Sequence, residues 1–160
     1  MSGSNRPVVV FDCMVLLQAT ASPTGPSAAC LKLVEDGRMQ LRVSRQILAE
    51  VRAVLSRPKV RSRNPKLDEK YVEAYLAHIA EVAPTVTDVP RTFAYSRDPL
   101  DEPYINLAIS QNANFLLSFD NDLLDLMKEG NADGEALKAQ APDLIIITPP
   151  ELLQILRAMP

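Results

Sequence analysis

Val8-Val9-Val10-Phe11-Asp12 is a run of four apolar residues closed by a carboxylate. A short apolar run with no polar alternation reads as a strand buried on both faces, the kind found inside parallel sheets. Phe115-Leu116-Leu117, followed by Asp120 and Asp122, repeats the arrangement, and Leu144 to Ile147 gives a further apolar run. Carboxylates placed at the carboxyl ends of parallel strands face the crevice in which open α/β sheets carry their sites.

The segments between these runs read as helices. Ser27 to Asp36 has Ala28, Leu31 and Val34 at three-residue spacing, and Gly37 stops it. Met39, Leu41 and Val43 alternate with Gln40 and Arg42, which predicts one strand. Ser44 is placed to cap a helix carrying Ile47, Leu48, Val51, Val54 and Leu55. Pro58 ends that helix and opens a polar stretch to Pro65. Asp68 to Val82 is a long helix, and Pro84 and Pro90 bracket a strand around Val86. Arg97 to Pro103 reads as a loop, with Pro103 starting a helix that ends at Asn112 or Asn114. Asp122 is placed to cap a helix through Leu123 and Leu124, and residues 130–142 read as a polar connection with a helical part at 135–139. Thr148, Pro149 and Pro150 launch a last helix. Alternating strands and helices predict an α/β fold, a three-layer α/β/α sandwich on a mostly parallel central sheet with right-handed crossovers.

Bulk properties narrow the function. The chain has 160 residues, 47% hydrophobic and 23% charged, which suits one domain with a real core (residues 1–160). No apolar stretch reaches membrane-spanning length, and the apolar run at the start is too short for a signal sequence. Ser2 to Pro7 reads as a frayed terminus, and the chain as cytoplasmic with no membrane partner. Cys13 and Cys30 match no zinc or redox spacing, Cys30 reads as a buried small hydrophobe, and His78, the lone histidine, sits in an amphipathic helix. Histidine-based general base chemistry is therefore set aside. Seventeen basic against 20 acidic residues give a net charge of -3. Within that balance, Arg52, Arg57, Lys59, Arg61, Arg63 and Lys66 form a basic run, read either as a solvated surface or as a phosphate-contacting lip.

Asp12, Glu50, Asp101 and Asp120 are the acids that such a fold would gather, with Asp98 and Glu102 crowding the same helix start. Glu50 lies three residues after Ile47 and four before Val54, near the buried face of its helix. A buried charge needs a partner: either a metal ion or a salt bridge to Arg45 or Arg52. Hard oxygen ligands without histidine suit Mg²⁺ or Mn²⁺. Clustered carboxylates raise one another's pKa until a cation arrives, so the arrangement that is costly without metal provides ion affinity.

The order and spacing of these motifs resemble the PIN domain family, in the branch described as toxin components of toxin–antitoxin pairs. Val9-Val10-Phe11-Asp12 resembles that family's first strand and first acid, and Val43 to Glu50 the segment supplying its glutamate. Arg97-Asp98-Pro99-Leu100-Asp101-Glu102 resembles its arginine–aspartate–proline–acidic motif, and Phe115 to Leu124 its final acidic motif. Thr148 to Leu153 resembles its closing segment, so that the likeness spans a core of about 8–158. The resemblance implies metal-dependent hydrolysis of RNA phosphodiesters by water, with no covalent intermediate. It makes Asp12, Glu50, Asp101 and Asp120 the catalytic, Mg²⁺- or Mn²⁺-binding acids, Asp122 an auxiliary ligand, and Asp98 and Ser118 supports for the ligands. It also implies an antitoxin partner and a homodimer. The dimer reading rests as well on Tyr71, Tyr75, Leu76 and Ile79, which exceed what one small sheet covers. Asp12-Cys13-Met14 departs from the family's Asp-Thr-Asn or Asp-Ser-Asn: the thioether of Met14 is only a weak acceptor, so polar support for the acids is lost at that position. Tyr104 stands where phenylalanine is commoner. A catalytically weak PIN-fold protein that binds RNA or a partner is the competing reading. None of the five glycines builds a phosphate loop, no receiver-type aspartate–lysine pair can be placed, and a haloacid-dehalogenase-like phosphatase needs a strand-end Asp-x-Asp where this chain has Asp12-Cys13-Met14.

Overall fold

The computed structural model describes residues 6–158. Residues 2–5 of the terminus read above as frayed lie outside this range. Four short strands form the central sheet: β1 (Val8–Phe11), β2 (Gln40–Leu41), β5 (Phe115–Leu117) and β6 (Ile145–Ile147), in the order β2-β1-β5-β6. Every pairing in it is parallel, with Val9 opposite Phe115 and Phe115 opposite Ile145. The chain leaves β1 in one direction to reach β2, and in the other to reach β5 and then β6. Right-handed crossovers of opposite direction place helices on both faces, which makes the α/β/α sandwich. The β1/β5 junction is where the direction of winding reverses. Val9, Val10, Leu116 and Leu117 have no measurable exposure there, and each such aliphatic burial is worth ~1.5–3 kcal/mol.

The single strand expected over residues 39–43 is two strands. β2 pairs with β1, and after Arg42, whose N–H donates to Val9 O at 3.0 Å, the chain moves into β3 (Val43–Ser44). β3 pairs in parallel with β4 (Thr85–Val86) as a separate two-stranded sheet.

The helices follow their caps. Asp12 caps α1 (Cys13–Ala21), an element absent from the sequence reading, by accepting the Val15 N–H at 2.9 Å. α2 (Pro26–Glu35) stops before Gly37, which takes a positive φ of 77°. Ser44 caps α3 (Arg45–Leu55) through the Ile47 N–H at 3.0 Å. Residues after Pro58 are not an irregular polar stretch but a short helix, α4 (Pro58–Arg63), with proline in its first turn. Asp68 caps α5 (Glu69–Val82). The Arg97–Pro103 loop contains a 3₁₀ turn at Pro99–Asp101, from which α6 (Glu102–Ser110) runs on; Asn112 follows with a φ of 51°, a conformation its short polar side chain tolerates. Asp120, not Asp122, caps α7 (Asn121–Leu124). α8 (Ala132–Gln140) extends the helical part expected at 135–139, and α9 (Pro149–Ala158) opens on a reciprocal Thr148–Glu151 cap.

Tyr75, Leu76 and Ile79 are buried in the chain's own core, and half-exposed Tyr71 shares a hydrogen bond with Thr20 at 2.7 Å. Tyr75, Leu76 and Ile79 are therefore not a spare face, and the homodimer reading is left to the family resemblance. Cys30 is fully buried, as expected, and His78 pairs with Glu35 at 2.6 Å. Among the described residues, no helix is long and apolar enough to cross a membrane.

Candidate metal centre

The β1/β5 junction holds two acids in place through one hydroxyl. Asp12 follows β1, and its Oδ1 is engaged by the Val15 N–H. Its Oδ2 accepts a short hydrogen bond from the Ser118 hydroxyl, the first residue past β5. The same hydroxyl oxygen accepts the N–H of Asp120 at 2.9 Å. Asp120 in turn accepts the Asp122 N–H at 2.9 Å. Burial pushes the Asp12 carboxyl up to about 6; the hydrogen bonds from Ser118 and Val15 oppose that rise, and the charge of Asp120 adds to it.

The other half of the site comes from the turn before α6. Asp98 accepts the Leu100 N–H at 3.1 Å and so shapes the turn that delivers Asp101. Asp101 is buried, and its Oδ2 has no hydrogen-bond partner. Burial is the main cause that pushes its carboxyl up to about 8, followed by the charges of Asp120 and Asp98, a carboxyl–carboxylate hydrogen bond with Asp98, and then the charge of Asp12. One carboxylate oxygen from each of Asp98, Asp101, Asp120 and Asp122 lies within 4.8 Å of the others.

This tight set differs from the four acids singled out in the sequence. Asp101 and Asp120 belong to both. Asp98 and Asp122 are nearer the centre than their supporting and auxiliary parts implied. Asp12 and Glu50 stand outside the 4.8 Å group but line the same pocket, a cavity of about 400 Å³ with Asp98, Asp101 and Asp120 in its wall. The hydrogen bonds that hold Asp12 turn its two oxygens toward Val15 and Ser118. Glu50 makes neither salt bridge foreseen for it: Arg52 pairs with Glu73 at 2.8 Å, and Glu50 accepts a short hydrogen bond from the Tyr104 hydroxyl. Asp122 is bridged by Arg97 at 2.7 Å, and Arg97 also reaches Asp125 at 3.0 Å. The contacts of Tyr104 with Glu50 and of Arg97 with Asp122 are what sequence reasoning missed. The tyrosine in place of phenylalanine and the arginine that heads the Arg97–Glu102 motif were the signals.

The donor set fits a hard divalent cation. It is all oxygen, and the orphaned Asp101 Oδ2 is a buried polar atom that a cation or a proton must satisfy. The Cys13 thiol also lines the pocket, but burial, reinforced by Glu50 and Asp12, pushes it up to about 12, which keeps it protonated and outside the donor set. A larger cavity of about 610 Å³ lies between residues 87–91 and α6, and contains no acid of the cluster. Its buried polar side chains are already satisfied: Glu102 by Arg91 and the Tyr95 N–H, Asn106 by the backbone of Thr92 and Phe93. Of these two cavities, the acidic pocket is the one that holds an unsatisfied buried carboxylate oxygen.

A family model of the PIN domain matches residues 8–122. The chain belongs to the PIN domain family. The matched stretch of the PIN domain contains every acid of the pocket and ends at Asp122, so the Thr148–Leu153 likeness lies beyond it. No curated protein and no solved structure matches the chain. PIN-family membership together with the acidic cluster supports a nuclease-like function of the general PIN type.

Proposed function

We propose that this PIN-domain protein is a Mg²⁺- or Mn²⁺-dependent endoribonuclease that hydrolyses RNA phosphodiesters, and the toxin component of a toxin–antitoxin pair. The observation that carries the reading is the unpartnered, buried Asp101 oxygen inside a cluster of four carboxylates. Asp98, Asp101 and Asp120 would hold the ion, with Asp122 completing the set while Arg97 offsets its charge. Asp12, fixed by Ser118, and Glu50, fixed by Tyr104, would extend the acidic wall toward a second ion. When bound, the divalent ion neutralises phosphate charge and makes water a usable nucleophile near neutral pH. The chain's own part is to hold these carboxylates in register and to keep Asp101 deprotonated once a cation faces it. The partners that accompany this reading are RNA, an antitoxin protein and a second copy of the chain, in a cytoplasmic setting.

Met14 favours a second reading. It stands 48% exposed at the pocket and offers only a thioether where a polar group would orient water or phosphate. A PIN-fold protein that binds without cutting is consistent with that. The deciding experiment assays wild type, Met14→Asn and Asp101→Asn on a mixed RNA pool with Mn²⁺, beside calorimetric titration of the ion. Met14→Asn should raise cleavage and Asp101→Asn should abolish it. Cutting that persists in Asp101→Asn would place the chemistry elsewhere; measured ion binding without cutting by any form would establish the non-cleaving reading.

A further inference from the structure

The four carboxylates of the cluster arrive in two pairs. Asp98 and Asp101 come from the turn before α6, Asp120 and Asp122 from the start of α7. Like charges within 4.8 Å of one another repel, so the pairs need something other than the ion to hold them in register. The turn is delivered by residues 87–98, which contain no helix or strand. That segment is fastened to α6 by the Tyr95 N–H on Glu102 at 2.7 Å and the Phe93 N–H on Asn106 at 2.8 Å. Toward α7, Tyr95 and Arg97 both close on Asp122.

The Tyr95 hydroxyl donates a short hydrogen bond to the Asp122 backbone oxygen. Arg97 takes the side chain: its Nε donates to Asp122 Oδ1 at 2.7 Å, and its Nη2 to Asp125 Oδ2 at 3.0 Å. One edge of a rigid guanidinium thus spans two carboxylates. Asp125 is braced in turn by Lys128 at 2.8 Å. Among the described residues, Asp98, Asp101 and Asp120 have no cationic partner. Arg97 therefore meets the cluster at one member, Asp122, and is covalently joined to a member of the other pair, Asp98. It uses Oδ1 of Asp122, so Oδ2 stays available as a ligand. By Coulomb's law alone, a fixed cation there opposes a metal ion. Its geometric effect has the opposite sign, because it ties the two pairs together across the seam.

Resting on the metal-dependent reading above, we infer that Arg97 is a positioning residue: a clasp that sets Asp122 and holds the two pairs of acids in register before the ion arrives. It acts through Asp122 and touches neither the ion nor the RNA. With the clasp open, Asp122 swings out, and water replaces its oxygen on the ion. The hold outweighs the repulsion, so losing Arg97 weakens ion binding even though a positive charge has been removed.

Calorimetric titration of Mn²⁺ into the full chain tests the sign. Arg97→Ala should bind Mn²⁺ about 10- to 100-fold more weakly than wild type. Arg97→Lys keeps the charge but not the fork, so it too should bind more weakly. Were Arg97 only a counter-charge, Arg97→Ala would bind more tightly and Arg97→Lys like wild type; either result overturns the clasp. In an Asp122→Ala background, Arg97→Ala should cost less than about twofold further, since the residue it works through is gone. A full-size loss there overturns the route through Asp122. Water-proton relaxation per bound Mn²⁺ should rise in Arg97→Ala, as a carboxylate oxygen gives way to water, and unchanged relaxation overturns that step. Melting curves with chelator should place Arg97→Ala close to wild type, because an ion pair this exposed adds little stability; lost affinity is then not lost folding. If the ribonuclease reading alone fails, wild type binds Mn²⁺, Arg97→Ala binds it weakly, and neither cuts RNA. If the clasp alone fails, Arg97→Ala binds Mn²⁺ and cuts like wild type. No Mn²⁺ binding by wild type overturns both.

Discussion

Asp12 and Asp101 are both buried acids in one pocket, but they come from regions built in opposite ways. Asp12 sits on the sheet, where both its oxygens accept hydrogen bonds and the Ser118 hydroxyl ties it to Asp120. Asp101 ends a turn, has an oxygen with no partner, and faces the charges of three other aspartates. Burial raises both carboxyls, to about 6 for Asp12 and about 8 for Asp101. The sheet half is complete without a ligand; the turn half is left unsatisfied. In the metal-dependent reading proposed above, the unsatisfied oxygen of the turn half is the one a cation would complete, and the sheet half is the rigid reference against which it would be placed.

The largest effect should come from removing the unsatisfied group. Asp101→Asn should stabilise the metal-free protein by about 1–3 kcal/mol at neutral pH, because wild type must take up a proton on a buried carboxyl that is ionised in the unfolded chain. It should also remove the melting shift that Mn²⁺ gives wild type. The pH dependence follows from the raised pKa. Asp101 binds its proton more tightly folded than unfolded, so its favourable contribution is complete below the ordinary value of 3.8 and is lost as pH rises through about 8. Asp12 behaves likewise between 3.8 and about 6. The difference in melting temperature between variant and wild type, measured with chelator, should therefore widen from about pH 5 to pH 8. Measuring above about pH 5 keeps Glu102 and Asp125, whose carboxyls are held low by Arg91 and by Lys128 and Arg97, fully ionised in both proteins. A difference that stays flat would break the contrast between the two halves.

Ser118→Ala tests the sheet half. It strips Asp12 of a donor and the Asp120 N–H of its acceptor in a single change. The expected cost is about 1–3 kcal/mol of stability in chemical denaturation. Mn²⁺ affinity should fall about 10- to 100-fold, the usual effect of losing a group that orients a ligand. Calorimetry showing wild-type affinity would mean that the turn half binds the ion without its reference.

The two halves were also unequally legible in the sequence. β1, β5 and their trailing acids stand out because an apolar run followed by a carboxylate is a local pattern. The turn half depends on tertiary placement: nothing local says that Asp98 and Asp122 come within 4.8 Å of Asp101 and Asp120, or that Arg97 binds Asp122 across 25 residues. α1 escaped notice because Cys13, Val15, Leu16, Leu17, Ala19 and Thr20 are all buried, so the helix shows no polar face to give a period. α4 is six residues long, too short for a period, and its proline reads as a stop as readily as a first turn. Alternation over residues 39–43 correctly marked Leu41 and Val43 as inward-facing, but alternation cannot report that the chain changes sheets at Arg42.

Tyr104→Phe should have the smallest effect, and it decides which half Glu50 belongs to. Glu50 is on α3, but its carboxylate is held by a hydroxyl from α6, the helix that begins directly after Asp101. The Tyr104 ring is buried, and phenylalanine fills the same volume, so stability should change by less than about 1.5 kcal/mol. What changes is the freedom of Glu50 to rotate away from the pocket. If Glu50 serves a second ion, the tighter Mn²⁺ step governed by Asp98, Asp101 and Asp120 should be untouched, and a weaker step should lose less than about tenfold. A loss as large as that of Ser118→Ala, falling on the first step, would make Glu50 part of the primary ion site and move the boundary between the two halves onto α3.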